Sequence, residues 1–397
     1  MEQEMKKYLK ITPEGTKDFL FAECSAMDDI CGKVEQVFVK RGFKKVITPG
    51  IEFYDVFSVP CSGISQEEMF KLTDNKGRLL VARPHSTLPI ARVMATRLKN
   101  SLLPIRLYYK QAVYRNQPTL TGRRTEFMQM GVELLGAQGL RADLEILTTA
   151  ISAVSAVAND FRIELGHAEV FDALADGLEI DEDYKEKIRV SIESKNYSAL
   201  NNLLDKLAPC KAVTAIRRLP SLFGGEEVIE QAAHICEGTK AQSALEYLHT
   251  LYNNLATLGL GDKVIIDLGL VQRNDYYTGF VFAGYVNGIG DAVITGGRYD
   301  KLLSEFDAPM GAAGFAVDTD ALTILRLNDG SVSYSDNPEV LVFACDGAEM
   351  KAIETVERLN ADGKKARFSV LPTLEETKAF AEARGIAEVI SVGEERE

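Results

Sequence analysis

Two polar residues set four apart in an apolar run, Gln129 and Glu133, are the first candidates for chemistry in this chain. Residues i and i+4 of a strand share a face, so an amide and a carboxylate there can together receive the ammonium group of a ligand. The plain alternative is the solvated face of an edge strand. Arg115, shortly before them, suits a phosphate or a carboxylate. Tyr276 and Tyr277 precede an apolar run and fit either ligand contact or ordinary sheet packing. His85 stands at a predicted helix start, where a neutral imidazole offers one acceptor; His167, beside a glycine, reads as structural. Six cysteines (Cys24, Cys31, Cys61, Cys210, Cys236, Cys345) form no CxxC pair and meet no clustered histidines, so they read as free thiols rather than a zinc site or disulfide framework. Cys24 and Cys31, on one predicted helix, suit small buried apolar positions.

These residues need elements to hold them. The 397 residues exceed one ordinary core and predict a large domain over 1–330 and a small one over 338–397. Helical spacing runs from Phe19 to Arg41, stopped by Gly42, and a β-rich run follows from Phe43 to Ile47. After a turn-rich stretch come a strand over Arg78–Ala82 and a helix over Ser86–Leu98. Strands over Ile105–Arg115 and Glu126–Gly136 flank a loop too long for a tight hairpin. From about 171 to 260 the pattern is helical throughout and reads as an insertion. Segments Lys263–Leu268, Gly279–Val286 and Asp291–Thr295 suggest an antiparallel meander. Beyond a polar linker at Ser331–Asn337, the order strand, helix, strand, helix, strand predicts a small α/β unit.

Three stretches carry a family resemblance. Val113, Tyr114, Arg115, Gly122, Arg123, Glu126, Phe127, Gln129, Gly131 and Glu133 resemble the second signature motif of class II histidyl-tRNA synthetases. Asp275 to Gly279, followed by Gly296, Gly297, Arg298, Tyr299 and Asp300, is similar to that family's histidine-recognition strand and loop. Thr12 to Phe19 resembles its N-terminal turn. The resemblance implies an α+β fold, with an antiparallel sheet flanked by helices, a helical insertion and a truncated anticodon-binding-like C-terminal domain. It also implies a histidine site built from His85, Thr87, Arg115, Gln129, Glu133, Tyr276, Tyr277 and Tyr299.

The departures are equally informative. Gln272 stands where the synthetases have an arginine for the α-phosphate, Gln117 and Thr125 replace a glutamate and a second arginine, and Ala321 takes the place of the ATP-clamping arginine. Losing one such preorganised donor typically costs about 10²- to 10³-fold in rate, so three losses predict no adenylation and no catalytic residue. His85 occupies an acidic position of the family, which predicts weaker or pH-sensitive histidine binding.

Within this family the chain resembles the regulatory subunits of ATP phosphoribosyltransferase, through Arg123-Arg124-Thr125-Glu126-Phe127, a Leu165-Gly166-His167 turn, and Leu219, Pro220, Leu222, Gly224 and Gly225. That resemblance implies a short catalytic subunit as partner, L-histidine as effector, and a homodimer through the segment 42–55 within a hetero-oligomer. The alternatives are an active histidyl-tRNA synthetase and a free-standing histidine-binding module. A formal net charge of −13 argues against nucleic-acid binding. The acidic start Met1-Glu2-Gln3-Glu4 and the lack of long apolar runs predict a cytoplasmic protein with no metal or cofactor.

Overall fold

The computed structural model describes residues 8–118, 123–239, 241–271, 276–328, 330 and 337–393. The chain divides into two compact units, Met1–Val332 and Ser333–Glu397.

The first unit opens with α1 (Ala22–Lys40), whose buried Ala26, Ile30, Val34 and Phe38 recur every four residues and form one apolar face. Cys31 joins that face while Cys24 stays exposed, and all six cysteines are free. Gly42, at φ +81°, supplies the left-handed turn that ends the helix. There follow β1 (Lys44–Lys45), β2 (Ile51–Phe53), β3 (Lys71–Thr73), β4 (Leu79–Ala82), α2 (Thr87–Thr96), β5 (Ile105–Tyr114), β6 (Glu126–Leu135), α3 (Leu140–Ser155) and β7 (Phe161–His167). The inserted helices are α4 (Ala168–Ala175), α5 (Glu182–Glu193), α6 (Tyr197–Leu204), α7 (Lys211–Arg218), α8 (Glu227–Cys236) and α9 (Ala241–Thr257), with β8 (Phe223–Gly224) among them. The unit closes with β9 (Val264–Asp267), β10 (Phe280–Val286), β11 (Ile294–Arg298), β12 (Ala312–Asp318) and α10 (Thr319–Asn328).

One nine-stranded sheet, ordered β1-β5-β6-β12-β11-β10-β7-β9-β8, dominates this unit. Its centre is antiparallel, whereas β1 with β5 and β7 with β9 are parallel pairs near its edges, so the sheet is mixed. The expected meander is corrected: β9 does not neighbour β10, because β7 lies between them and pairs with both. The expected turn at Leu165-Gly166-His167 is likewise the end of β7, where Phe161, Ile163 and Leu165 alternate into the core. The insertion also holds a short strand, β8, against β9. These pairings join residues far apart in sequence, which a local pattern does not encode.

Strand β6 shows how the sheet sorts its side chains. Met130, Val132 and Leu134 point into the cluster with α1 and α3. Gln129, Gly131 and Glu133 fall on the opposite face by alternation. There Leu135 packs with Tyr109, Tyr276 and Tyr299 in a second cluster. A short antiparallel sheet, β2-β4-β3, lies in the same unit.

The second unit contains β13 (Val340–Ala344), α11 (Glu349–Ala361), β14 (Ala366–Phe368), α12 (Leu374–Arg384) and β15 (Glu388–Val392), with a parallel sheet ordered β14-β13-β15. Among the described residues, no helix is long and apolar enough to cross a membrane.

Candidate functional site

A cavity of about 300 Å³ opens on the second face of the sheet. All eight residues singled out from the sequence line it: His85, Thr87, Arg115, Gln129, Glu133, Tyr276, Tyr277 and Tyr299. They arrive from different elements. Strand β6 supplies Gln129 and Glu133, the end of β5 leads to Arg115, the start of α2 brings His85 and Thr87, and the strand ends around β10 and β11 bring the tyrosines.

Glu133 sits at its centre, 2% exposed. Thr87 Oγ1 donates to its Oε1 at 2.8 Å and the Tyr299 hydroxyl donates to its Oε2. Burial nevertheless outweighs these bonds and pushes the carboxyl up to about 7. Gly314, opposite on β12, makes the arrangement feasible, because a Cβ there would collide with the Glu133 carboxylate. Gln129 is buried as well, its Oε1 accepting from the Tyr109 hydroxyl at 3.3 Å. Neither residue lies on a solvated edge, because β6 is flanked by β5 and β12.

The aromatic wall is Tyr276 against Tyr277, ring centroids 4.8 Å apart, with Tyr299 edge-on to Tyr276 at 5.6 Å. A Cβ at Gly297 would meet the Tyr277 ring at 2.9 Å, so the glycine lets that ring lie against the backbone. Burial raises the hydroxyls of Tyr109, Tyr276 and Tyr299 well above their ordinary range, keeping them neutral donors.

His85 is neutral. Its Nε2 lies 3.2 Å from the Ser62 carbonyl oxygen, an acceptor, so Nε2 carries the proton. Nδ1 is then a bare acceptor, buried and without a protein partner among the described residues. Burial first, and the charge of Arg115 second, depress its pKa to about 3. The expected pH sensitivity therefore does not reside in His85; the group that titrates near neutrality is Glu133. His167 lies elsewhere, capping α4 by accepting from Glu169 N–H at 3.3 Å, and is depressed to about 4 by burial.

Arg115 is the cation among the described lining residues, its Nε donating to the Pro84 carbonyl at 3.1 Å. The next arginine along is spent internally. Arg124 Nη2 donates to Asp318 Oδ2 at 2.5 Å, and its Nη1 pairs with Asp320 Oδ2 at 3.2 Å. Both guanidiniums stand 5.5 Å from the centroid of the Phe127 ring. Asp320 is deeply buried, which pushes its carboxyl up to about 6 despite Arg124. Thr125 staples the N-terminal turn, its N–H donating to Gly15 O at 2.8 Å and its hydroxyl to Glu14 O at 3.2 Å. Gln272 lies outside the described residues. Ala321 opens α10, its N–H donating to Asp318 Oδ1 at 3.0 Å.

Sequence reasoning missed Ser62, Glu68, Tyr109, Glu193 and Thr295, which also line the cavity. Ser62 and Glu68 come from the loop before β3 and Glu193 from the insertion. Nothing in their local spacing marks them. Tyr109 alone carried a signal, sharing by alternation the strand face that leads to Arg115. Among the described residues, no group of His, Cys, Asp and Glu is arranged to hold a metal ion.

The lining offers a cation in Arg115, acceptors in Gln129, Glu133 and the His85 Nδ1, and a flat aromatic wall in the tyrosines.

The chain is similar to known proteins along nearly its whole length. The sequence model of the Histidyl-tRNA synthetase family matches residues 15–322. An ATP phosphoribosyltransferase regulatory subunit from Clostridium acetobutylicum is 38% identical over 391 residues, covering 98% of this chain and 95% of that protein. One from Bacillus mycoides is 34% identical, covering 98% and 94%. The crystal structure of an ATP phosphoribosyltransferase regulatory subunit/histidyl-tRNA synthetase from Bacillus halodurans superposes with a TM-score of 0.86 at 30% identity, covering 98% of this chain and 100% of that one. Histidyl-tRNA synthetase from Nostoc, at 21% identity and a TM-score of 0.75 over 95% and 90% of the two chains, shares the fold. On this likeness along nearly its whole length, the chain belongs to the family of ATP phosphoribosyltransferase regulatory subunits, built on the class II histidyl-tRNA synthetase fold.

Proposed function

We propose that this chain is a non-catalytic regulatory subunit that activates a short ATP phosphoribosyltransferase catalytic subunit, in the first step of histidine biosynthesis, and confers feedback inhibition by L-histidine. One observation carries the reading: a cavity lined by Arg115, Gln129, Glu133, Tyr276, Tyr277 and Tyr299 persists beside an arginine paired with two carboxylates, Asp318 and Asp320. Adenylation needs preorganised positive charge at the phosphates. Here Arg124 is consumed within the protein, and the positions of further cations hold Thr125 and Ala321. An active synthetase is disfavoured on the same grounds.

Histidine acts by binding one arrangement of the complex more tightly than another. The subunit works as a homodimer within the hetero-oligomer: Ile47, Ile51, Phe53, Leu72 and Leu79 leave an exposed apolar set around β2, β3 and β4 that suits a second copy. The small second unit is an anticodon-binding-like remnant, and the protein is cytoplasmic.

The test is phosphoribosyl-ATP formation from ATP and phosphoribosyl pyrophosphate by the short catalytic subunit, with and without this protein, across a histidine titration. Activation together with inhibition by histidine is expected. No effect on either rate overturns the reading and leaves a free-standing binding module.

The pH dependence follows from Glu133. Its folded pKa of about 7 lies above the ordinary 4.5. Its contribution to stability is therefore fully present below about pH 4.5 and is lost as pH rises through about 7. A ligand cation pairs with the ionised form. Histidine affinity should rise by about tenfold per pH unit below neutrality and level off above it, after correction for the ligand's own imidazole. Calorimetry in two buffers at pH 6 should register proton release on binding.

A further inference from the structure

Helix α5 belongs to the insertion, yet its last residue, Glu193, lines the ligand cavity together with Thr295 and the tyrosines. Glu193 and Thr295 also line a second cavity of about 430 Å³, walled by the insertion on one side and by β7, β9 and β10 on the other. Glu193 thus stands on the partition between the two.

Among the described residues, Arg189 ties its helix to the segment that leads to the tyrosines. Arg189 is buried, and its Nη1 donates to the Val271 carbonyl at 3.3 Å and to Glu193 Oε2 at 3.2 Å. Its Nε and Nη2 donate to the two oxygens of Glu186 at 2.7 and 2.6 Å. Val271 lies five residues before Tyr276 in the chain. A planar guanidinium bonded on several edges transmits position more faithfully than a flexible ammonium.

Among the described residues, the cavity lining holds one cation, Arg115, and three carboxylates, Glu68, Glu133 and Glu193. Glu68 accepts from the Ser65 N–H and hydroxyl at 3.0 and 2.9 Å. Glu133 accepts from Thr87 and Tyr299. Glu193 differs from both, since it reaches the cavity from a helix outside the sheet and faces solvent.

We infer that Glu193 is a ligand-recognition residue supplied by the insertion: it accepts from a cationic N–H group of the effector, and effector binding thereby holds the inserted helices against the sheet. The inference rests on the cavity being the histidine site. Histidine binding then converts a local ion contact into a change in the freedom of α5, a surface element far larger than the ligand.

The test combines calorimetric titration of the full chain with L-histidine and amide hydrogen exchange with and without it. Glu193→Gln should raise the dissociation constant roughly 10- to 100-fold, the usual worth of a hydrogen bond to a charged group, and Glu193→Asp should recover part of that loss. In the wild type, histidine should slow exchange in residues 182–193. Glu193→Gln at saturating histidine should lose that slowing, and Arg189→Lys, which loosens the hold on Glu193 Oε2, should weaken histidine binding by a smaller factor. Wild-type affinity in Glu193→Gln, or unchanged exchange of α5 in the wild type at saturating histidine, overturns the inference. A wild type that binds no histidine overturns the reading of the cavity itself, and does so before any variant is compared.

Discussion

Glu133→Ala should abolish histidine inhibition of the phosphoribosyltransferase complex, raising the half-inhibiting histidine concentration by roughly 100-fold or more. The expectation follows from where the carboxyl sits. It is buried on a central strand, held by Thr87 and Tyr299, and close enough to Gly314 that no larger residue fits there. Removing it withdraws the ligand's central acceptor and leaves two buried hydroxyls facing a void, and unpaired buried donors each cost about 1–3 kcal/mol. A histidine titration of phosphoribosyl-ATP formation reads the outcome. Activation of the catalytic subunit in the same assay shows whether the variant is folded. Inhibition that survives at wild-type histidine concentrations would mean that the effector binds elsewhere.

Arg298→Ala should lower the unfolding free energy by about 3–5 kcal/mol, measured by urea denaturation. Arg298 is buried with Asp143, to which it donates through Nε at 2.7 Å and through Nη2, and it reaches Asp300 through Nη1 at 2.9 Å. Tyr247 of the insertion donates to the same Asp143 at 2.5 Å. The burial of the Tyr247 hydroxyl, with that bond, pushes its pKa above the ordinary range. Deleting the guanidinium strands an aspartate in the core with one remaining partner. The network joins α3, β11 and the insertion, so the loss extends beyond one contact. Replacing Arg298 and Asp143 together by apolar residues of similar volume should recover most of the stability, because a buried pair repays little more than its own desolvation. A single variant as stable as the wild type would refute the account.

Much of the site was legible from local pattern. The four-residue interval between Gln129 and Glu133 placed both on one face of a strand, and alternation alone explains why Met130, Val132 and Leu134 take the other. The apolar spacing of α1 and the stop at Gly42 were equally readable, since helix period and left-handed glycine turns are local properties. The replacement of arginine by Thr125 and Ala321 also needed no coordinates.

Tertiary structure decided what local pattern cannot encode. The insertion of β7 between β9 and β10 replaced an expected meander, because strand neighbours are chosen by long-range packing rather than by each strand's own alternation. His85 was readable as a departure, but its neutrality depends on burial and on the charge of Arg115 from a separate segment, which together outweigh the Ser62 carbonyl. The same holds for Arg124, whose charge is neutralised by aspartates nearly two hundred residues later. Glu193 reaches the cavity only because the insertion folds back on the sheet. The sequence determined which chemical groups are present and which face of each element they share. The fold determined which of them meet, and with that the charge each one carries.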